Sequence, residues 1–219
     1  VNDASYLPHF IEGITVNVTE MFRDPHFYKA LRKDILPVLG THPFIRIWIA
    51  GCATGEEAYS LAILLKETGL YERSLIYATD INPGALEKAS RGIFPAGPMK
   101  QYAENYILSG GTKDLSSYYV SQYDRVRFHS ALNEKMIFST HNLVSDASFN
   151  EFQLILCRNV LIYFDKDLQN SVFKLFDDSL QPLGYLALGA KETIRFSNLD
   201  YKYRQWNNEK IWKKISPES

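Results

Sequence analysis

Two adjacent carboxylates, Glu56 and Glu57, stand where a helix should begin, directly after the turn Gly51-Cys-Ala-Thr-Gly55. A helix N-terminus attracts anions, which is why phosphates bind there. Here that position is taken from within the chain, and no Lys or Arg lies in the loop to offset it. A pyrophosphate would meet repulsion, whereas a ligand carrying a ribose and a positive centre would not. A third carboxylate, Asp80, closes the apolar run Ser74-Leu-Ile-Tyr-Ala-Thr-Asp80. It follows the glycine turn by about the interval at which a carboxylate takes ribose hydroxyls. S-adenosylmethionine, with its sulfonium and amino group, fits these residues. NAD remains compatible with them; NADP is disfavoured, because Asp80 would repel a 2′-phosphate.

Each piece has a plainer reading when taken alone. A glycine turn after a strand often serves packing, and an Asp at a strand end often caps the next helix. Their combination, with Gly51 letting a ligand approach the backbone, points to a nucleoside site.

Such a site needs strands to carry it. Ile45-Arg-Ile-Trp-Ile-Ala50 reads as a buried strand, followed by a helix over 56–68, a strand over 74–80 and a helix from about Pro83 to Arg91. Ahead of these, Asp24-Pro25 reads as a helix start, with Asp as N-cap and Pro at the first helical position. Phe27, Ala30, Leu31, Ile35 and Val38 continue it as an apolar stripe to about Leu39. Residues 92–131 break the rhythm with Gly92, Pro95, Gly97, Pro98, Gly110, Gly111 and many tyrosines. The run 118–128 suggests short strands there rather than a packed helix. Strands at 135–141 and 152–157 follow, then a helix capped by Asp165 or Asp167 and running to about Leu180. Gln181-Pro-Leu-Gly184 should end that helix before a buried strand at 185–189. Segments 202–206 and 210–215, joined through Asn207-Asn208, give a hairpin signal. The expected fold is α/β, a Rossmann-like, mainly parallel sheet with a terminal antiparallel hairpin and a small inserted β-rich subdomain, which resembles a class I methyltransferase core. The expected division is an N-terminal segment and helix over 1–40, a cofactor-binding domain over 41–91 and 132–219, and the insertion over 92–131.

The chain has 219 residues, 46% of them hydrophobic, enough for one α/β domain with a sizeable core. A net charge of −1 gives no global field toward nucleic acid or an anionic membrane. Cys52 and Cys157, both beside apolar strands, read as buried free thiols in a reducing cytosol. No apolar run has the length of a membrane span, and no signal peptide opens the chain. The five histidines form no metal constellation.

Four segments, Asn17-Val-Thr-Glu-Met-Phe-Arg-Asp24, Ala50–Ser60, Ala78-Thr-Asp80 and Cys157-Arg-Asn-Val-Leu-Ile-Tyr-Phe-Asp165, resemble the CheR-type chemotaxis receptor methyltransferases, in the right order and from about residue 14 to the C-terminus. The resemblance implies a cytoplasmic enzyme that moves a methyl group from S-adenosylmethionine to receptor glutamates, leaving methyl esters and S-adenosyl-L-homocysteine. The acceptor would be a protein, the cytoplasmic helical region of a chemoreceptor, with no nucleic acid and no membrane insertion. Other readings are a methyltransferase for another protein or a small acid, and a cofactor-binding regulatory module without catalysis.

The resemblance also implies roles for single residues. Asn17, Thr19 and Arg23 belong to a motif that folds over the cofactor. Arg23 would clamp a carboxylate, that of the cofactor or that of the acceptor. Glu56 would meet the cofactor's amino group or ribose, Asp80 the ribose hydroxyls, and Asn142 and Leu143 the adenine. Arg158 and Asn159, at the end of strand 152–157, would line the cofactor site, and Tyr163 would orient the acceptor at the transfer centre. Two departures stand out. Family members carry a helical domain before the Asn-x-Thr motif, and about sixteen residues precede it here. The family's Gly-His-Ser-Glu after the late strand is here Gly189-Ala-Lys-Glu192. The insertion falls where some members carry a three-stranded, peptide-binding subdomain, but its sequence shows no clear version of that surface.

Overall fold

The computed structural model describes residues 19–206 and 208–215. In chain order the helices and strands are α1 (Pro25–Ala30), α2 (Leu36–Leu39), β1 (Ile45–Ala50), α3 (Glu56–Glu67), β2 (Ser74–Asp80), α4 (Pro83–Arg91), β3 (Ile93–Pro95), α5 (Met99–Leu108), β4 (Tyr119–Gln122), β5 (Arg125–Phe128), β6 (Met136–Thr140), β7 (Phe152–Cys157), α6 (Lys166–Ser179), β8 (Leu180–Leu188), β9 (Tyr203–Gln205) and β10 (Ile211–Lys214). Seven strands form one sheet in the order β6-β2-β1-β7-β8-β10-β9. The first five run parallel, and β10 and β9 add antiparallel as the terminal hairpin. This is the mainly parallel α/β sheet expected from the sequence.

Both faces of the sheet are covered, which is why β1 and β7 are apolar at almost every position. Ile45, Ile47 and Ile49 of β1 pack on one side with α1, α3 and α5. Trp48 and Ala50 pack on the other with Val172, Phe173 and Phe176 of α6. Parallel order also brings the carboxyl ends of β6, β2, β1, β7 and β8 to one edge of the sheet, where ligands bind in open α/β folds.

Four local expectations change. Asp24 does not cap α1. It stands at φ 58° with no side-chain bond to the helix, and its carboxylate takes the Arg158 guanidinium at 2.6 Å instead. Pro25 has no N–H to offer, and the Phe27 N–H bonds the Asp24 carbonyl at 2.9 Å. The helix after it is not uniform either: Leu31–Ile35 is a π-helical stretch between α1 and α2. Pro37 explains it, because it cannot donate to the Lys33 carbonyl and its ring crowds that turn.

The insertion contains a helix, α5, beside its three-stranded antiparallel sheet β3-β5-β4. Gly97-Pro98 and Gly110-Gly111 bracket the helix closely, and its buried stripe is Met99, Tyr102, Asn105 and Tyr106. An asparagine and two tyrosines at core positions hid the period. Finally, Gln181–Gly184 do not precede the late strand but lie within β8. Leu180 pairs with Phe152 and Tyr185 with Leu154, so the intervening residues loop out, and the Gln153 amide donates to Gln181 Oε1 at 2.9 Å.

Candidate active site

A cavity of about 500 Å³ opens at the carboxyl ends of the parallel strands. Its first wall is the turn after β1. The Gly51 and Cys52 N–H groups both donate to the Thr79 carbonyl, at 2.8 and 2.9 Å. Gly51 sits at φ 80°, and a Cβ there would stand 2.4 Å from Val160 Cγ2, so only glycine fits. Asp80 ties this wall to the next. Its Oδ2 accepts from the Ala53 N–H at 2.8 Å and its Oδ1 from the Asn82 N–H at 2.9 Å. One carboxylate therefore fixes the glycine turn against the start of α4 and still has lone pairs facing the cavity. Cys52 also lines the cavity. Burial, and then the nearby Asp80 charge, push its thiol well above the usual range, so it is no nucleophile.

The two glutamates at the start of α3 diverge. Glu57 reaches the cavity, where its Oε1 accepts from Arg158 Nη1 at 2.8 Å and from the Tyr28 hydroxyl at 3.4 Å. Glu56, the residue expected to meet the cofactor, is not among the lining residues. It is buried and accepts from the Thr54 hydroxyl at 2.6 Å. Burial raises its pKa, with the Thr54 bond opposing. The charge balance of the turn also differs from the sequence reading, because Arg158 arrives from β7 to match Glu57.

Arg158 is the best-connected group here. Its buried guanidinium bonds Glu57, Asp24 and, through Nη2 at 3.1 Å, the Arg23 carbonyl. It also lies over the Phe27 ring at 4.1 Å. Burial opposes its charge, but Glu57, Tyr28 and Asp24 outweigh that and raise its pKa. Charge-assisted bonds of this kind, one to each of two carboxylates, are stronger than neutral ones. Arg158 thus joins the wall made by the loop after β7 to the wall made by residues 19–24.

In the β7 loop, Asn159 adopts φ 61°. Asn159, Val160 and Tyr163 all line the cavity, and Tyr163 is 59% exposed at its mouth. The wall after β6 holds His141, Asn142 and Leu143. Asn142 closes a turn of its own, accepting from the Val144 N–H and donating its N–H to Asp146, both at 2.9 Å. Thr19 and Arg23 line the remaining side. That segment is held from the insertion: the Asn105 amide of α5 donates to the Met21 carbonyl at 3.1 Å, and Phe22 packs on Tyr106 with ring centres 5.2 Å apart.

Of the residues singled out in the sequence, Thr19, Arg23, Gly51, Asp80, Asn142, Leu143, Arg158, Asn159 and Tyr163 thus line one cavity, although they span 145 positions from Thr19 to Tyr163. Asn17 lies outside the described residues.

The chain carries a match to the family described as "CheR methyltransferase, SAM binding domain" over residues 17–210. It belongs to the CheR methyltransferase family. The enzyme is a methyltransferase of the chemotaxis type, and its cofactor is S-adenosylmethionine. It is 48% identical to the Pseudomonas putida protein named "Putative methyltransferase Cher3" over 197 residues, 90% of this chain and 72% of that one. It is 32% identical to a chemotaxis protein methyltransferase of Listeria monocytogenes, covering 94% of this chain and 76% of that one. The crystal structure of the DszA carbon methyltransferase superposes with a TM-score of 0.46 at 19% identity, over 74% of this chain and 34% of that one.

The cavity's own chemistry agrees with that cofactor. Asp80 has free acceptor capacity for ribose hydroxyls, Leu143 offers an apolar face, and Gly51 leaves the backbone open to close approach. Sequence reasoning passed over Glu57 in favour of its neighbour and gave no role to Glu192, whose carboxylate accepts from the Asn159, Val160 and Leu161 N–H groups of the β7 loop. For Glu192 a signal existed: one acidic residue three positions after Gly189, the glycine that follows β8.

Proposed function

We propose that this enzyme methylates glutamate side chains in the cytoplasmic helical region of a chemoreceptor, acting in the cytoplasm. The observation that carries the reading is that Arg23 and Tyr163, a cation and a hydroxyl, line the same cavity as Asp80 and Asn159. Asp80, Asn142, Leu143, Asn159 and Thr19 would hold the cofactor. Glu57, rather than Glu56, would stand beside its amino group, with Arg158 fixing both Glu57 and the backbone at Arg23. Asn17 belongs to the same proposal by resemblance.

Bound S-adenosylmethionine supplies an activated methyl group on a sulfonium. The acceptor carboxylate is already ionised near neutral pH. Methyl transfer to a carboxylate oxygen would release no proton, so these residues would need no general base. The protein's task is alignment, which can lower a barrier by about 7–11 kcal/mol. The Tyr163 hydroxyl, at the mouth, orients the acceptor, and Arg23 gathers a carboxylate by charge. Neutralising a glutamate on a receptor helix weakens like-charge repulsion there and biases a two-state receptor.

The test is incubation with labelled methyl donor and receptor cytoplasmic fragments. The label should enter the receptor and leave as methanol in mild base. Base-stable label would assign N-methylation instead, label in a small acid would replace the receptor as acceptor, and no transfer despite S-adenosylhomocysteine binding would make the chain a regulatory module.

A further inference from the structure

The loop after β7 carries Arg158, Asn159 and Tyr163, and its shape is not set by the loop itself. Asn159 lies in the left-handed region at φ 61°, and Val160 follows in the right-handed one at φ −111°, ψ −46°. Consecutive residues of opposite hand point successive N–H groups at one spot and make an anion-binding concavity. Here the anion belongs to the chain. Glu192, only 4% exposed, accepts from Asn159 N–H at 2.9 Å, Val160 N–H at 2.8 Å, Leu161 N–H at 2.7 Å and Gly189 N–H at 2.6 Å. Two donors reach each carboxylate oxygen. A tight turn, with the Glu192 N–H donating to the Gly189 carbonyl at 2.9 Å, folds the side chain back under the loop. Gly189 has no spare room: a Cβ there would meet Glu192 Oε2 at 2.7 Å and the Asn159 nitrogen at 2.8 Å.

The consequence reaches the cavity through Val160, whose methyl packs on Gly51 so closely that a Cβ on Gly51 would lie 2.4 Å from it. Any shift of the loop therefore moves Asn159 and Val160 against the glycine turn and carries Tyr163 with them. Glu192 itself is not among the cavity-lining residues.

We propose that Glu192 is the positioning residue of the transfer site: its carboxylate fills the amide concavity of residues 159–161 and holds the cofactor wall and Tyr163 in register. The inference rests on the reading of this cavity as the methyl-transfer site. Glu192→Gln keeps the side chain's shape but replaces one accepting oxygen by an NH₂ group that faces two N–H donors. Asp177→Asn serves as a control: Asp177 is also a buried carboxylate, but it binds Lys202, Tyr203 and Lys214 beside the terminal hairpin, away from the cavity.

The experiment measures S-adenosylhomocysteine affinity by calorimetry, kcat, and amide hydrogen exchange without cofactor, all well below each variant's melting temperature. Glu192→Gln should weaken binding by about tenfold and lower kcat by at least as much, since charge-assisted bonds are roughly twice as strong as neutral ones. Protection of the amides of 159–161 should fall. Asp177→Asn should melt earlier but stay within about twofold of wild type in both binding and turnover. If Glu192→Gln does not fold, Gly189→Ala should give the same signature with the carboxylate intact. Wild-type binding, turnover and exchange in the folded variant, with only a lower melting temperature, would overturn the inference and leave Glu192 a plain stability element. Should the wild-type chain bind no S-adenosylhomocysteine, the reading of the cavity fails instead; the exchange of 159–161 still decides whether Glu192 orders the loop.

Discussion

Two walls of the same cavity are built in different ways. The loop after β7 continues directly from a central strand and is bonded to the turn after its neighbour β8, through Glu192 and Gly189. Among the described residues, no strand leads into residues 19–24. They are held by side chains from three elements: Arg158 on the Arg23 carbonyl, Ser60 of α3 on the Phe22 N–H at 2.9 Å, and Asn105 of α5 on the Met21 carbonyl. The first wall inherits its rigidity from the sheet. The second depends on single contacts and on the insertion being seated, so it is the wall whose mutation should change binding without unfolding the core.

Arg158 joins the two walls, and its loss should do the most. Arg158→Met keeps volume but leaves Glu57 buried without its cation, a cost of about 3–5 kcal/mol when one partner of a buried pair is removed. The expected result is a large drop in melting temperature and at least a hundredfold loss of S-adenosylhomocysteine affinity. Near-normal affinity in calorimetry would mean that residues 19–24 hold their place without it.

Asn105→Ala tests the second wall alone. Removing a hydrogen bond to a buried carbonyl costs about 1–3 kcal/mol, and Asn105 is remote in sequence from every cavity-lining residue. Affinity should fall about fivefold while the exchange of amides 159–161 stays protected. Equal deprotection of both walls would erase the contrast between them.

The seat of the insertion should be acid-sensitive. Burial alone would raise the Glu67 pKa, but bonds from Tyr106 and Arg32 win and hold it below the ordinary 4.5. A lowered folded-state pKa contributes stability above the ordinary value, and that contribution is lost as pH falls through the folded one. Wild type should therefore melt above Glu67→Gln at pH 6, and the gap should close below about pH 4.5. A gap that stays constant down to pH 3 would show that Glu67 is not the group responsible.

Tyr163→Phe should have the smallest effect. The side chain is 59% exposed, so melting temperature and cofactor affinity should hold, while kcat falls about fivefold for one lost hydrogen bond in the transition state. Unchanged kcat with a receptor substrate would remove Tyr163 from the transfer centre.

Much of this was legible because it is local. The order strand, glycine turn, helix at 45–67 follows from apolar run, glycine position and helix start. Asp80 closes β2, and the Asn82 N–H two residues on donates to its Oδ1. The helix α5 was not legible, because Asn105 and Tyr106 look polar until Met21 and Glu67 are placed against them. Gln181–Gly184 looked like a terminator because a strand that loops out four residues and resumes carries no periodic signal.

The sequence by itself determined the alternation of strands and helices, the Gly51 turn and the acid at the end of β2, because hydrophobic period and backbone preference act over a few residues. Tertiary structure alone decided which glutamate of the 56–57 pair faces the cavity, that Asp24 leaves α1 for Arg158, and that Glu192 serves a loop some thirty positions earlier. A buried charge goes to whatever donors the packing of distant segments brings within reach, and no window along the chain contains both partners.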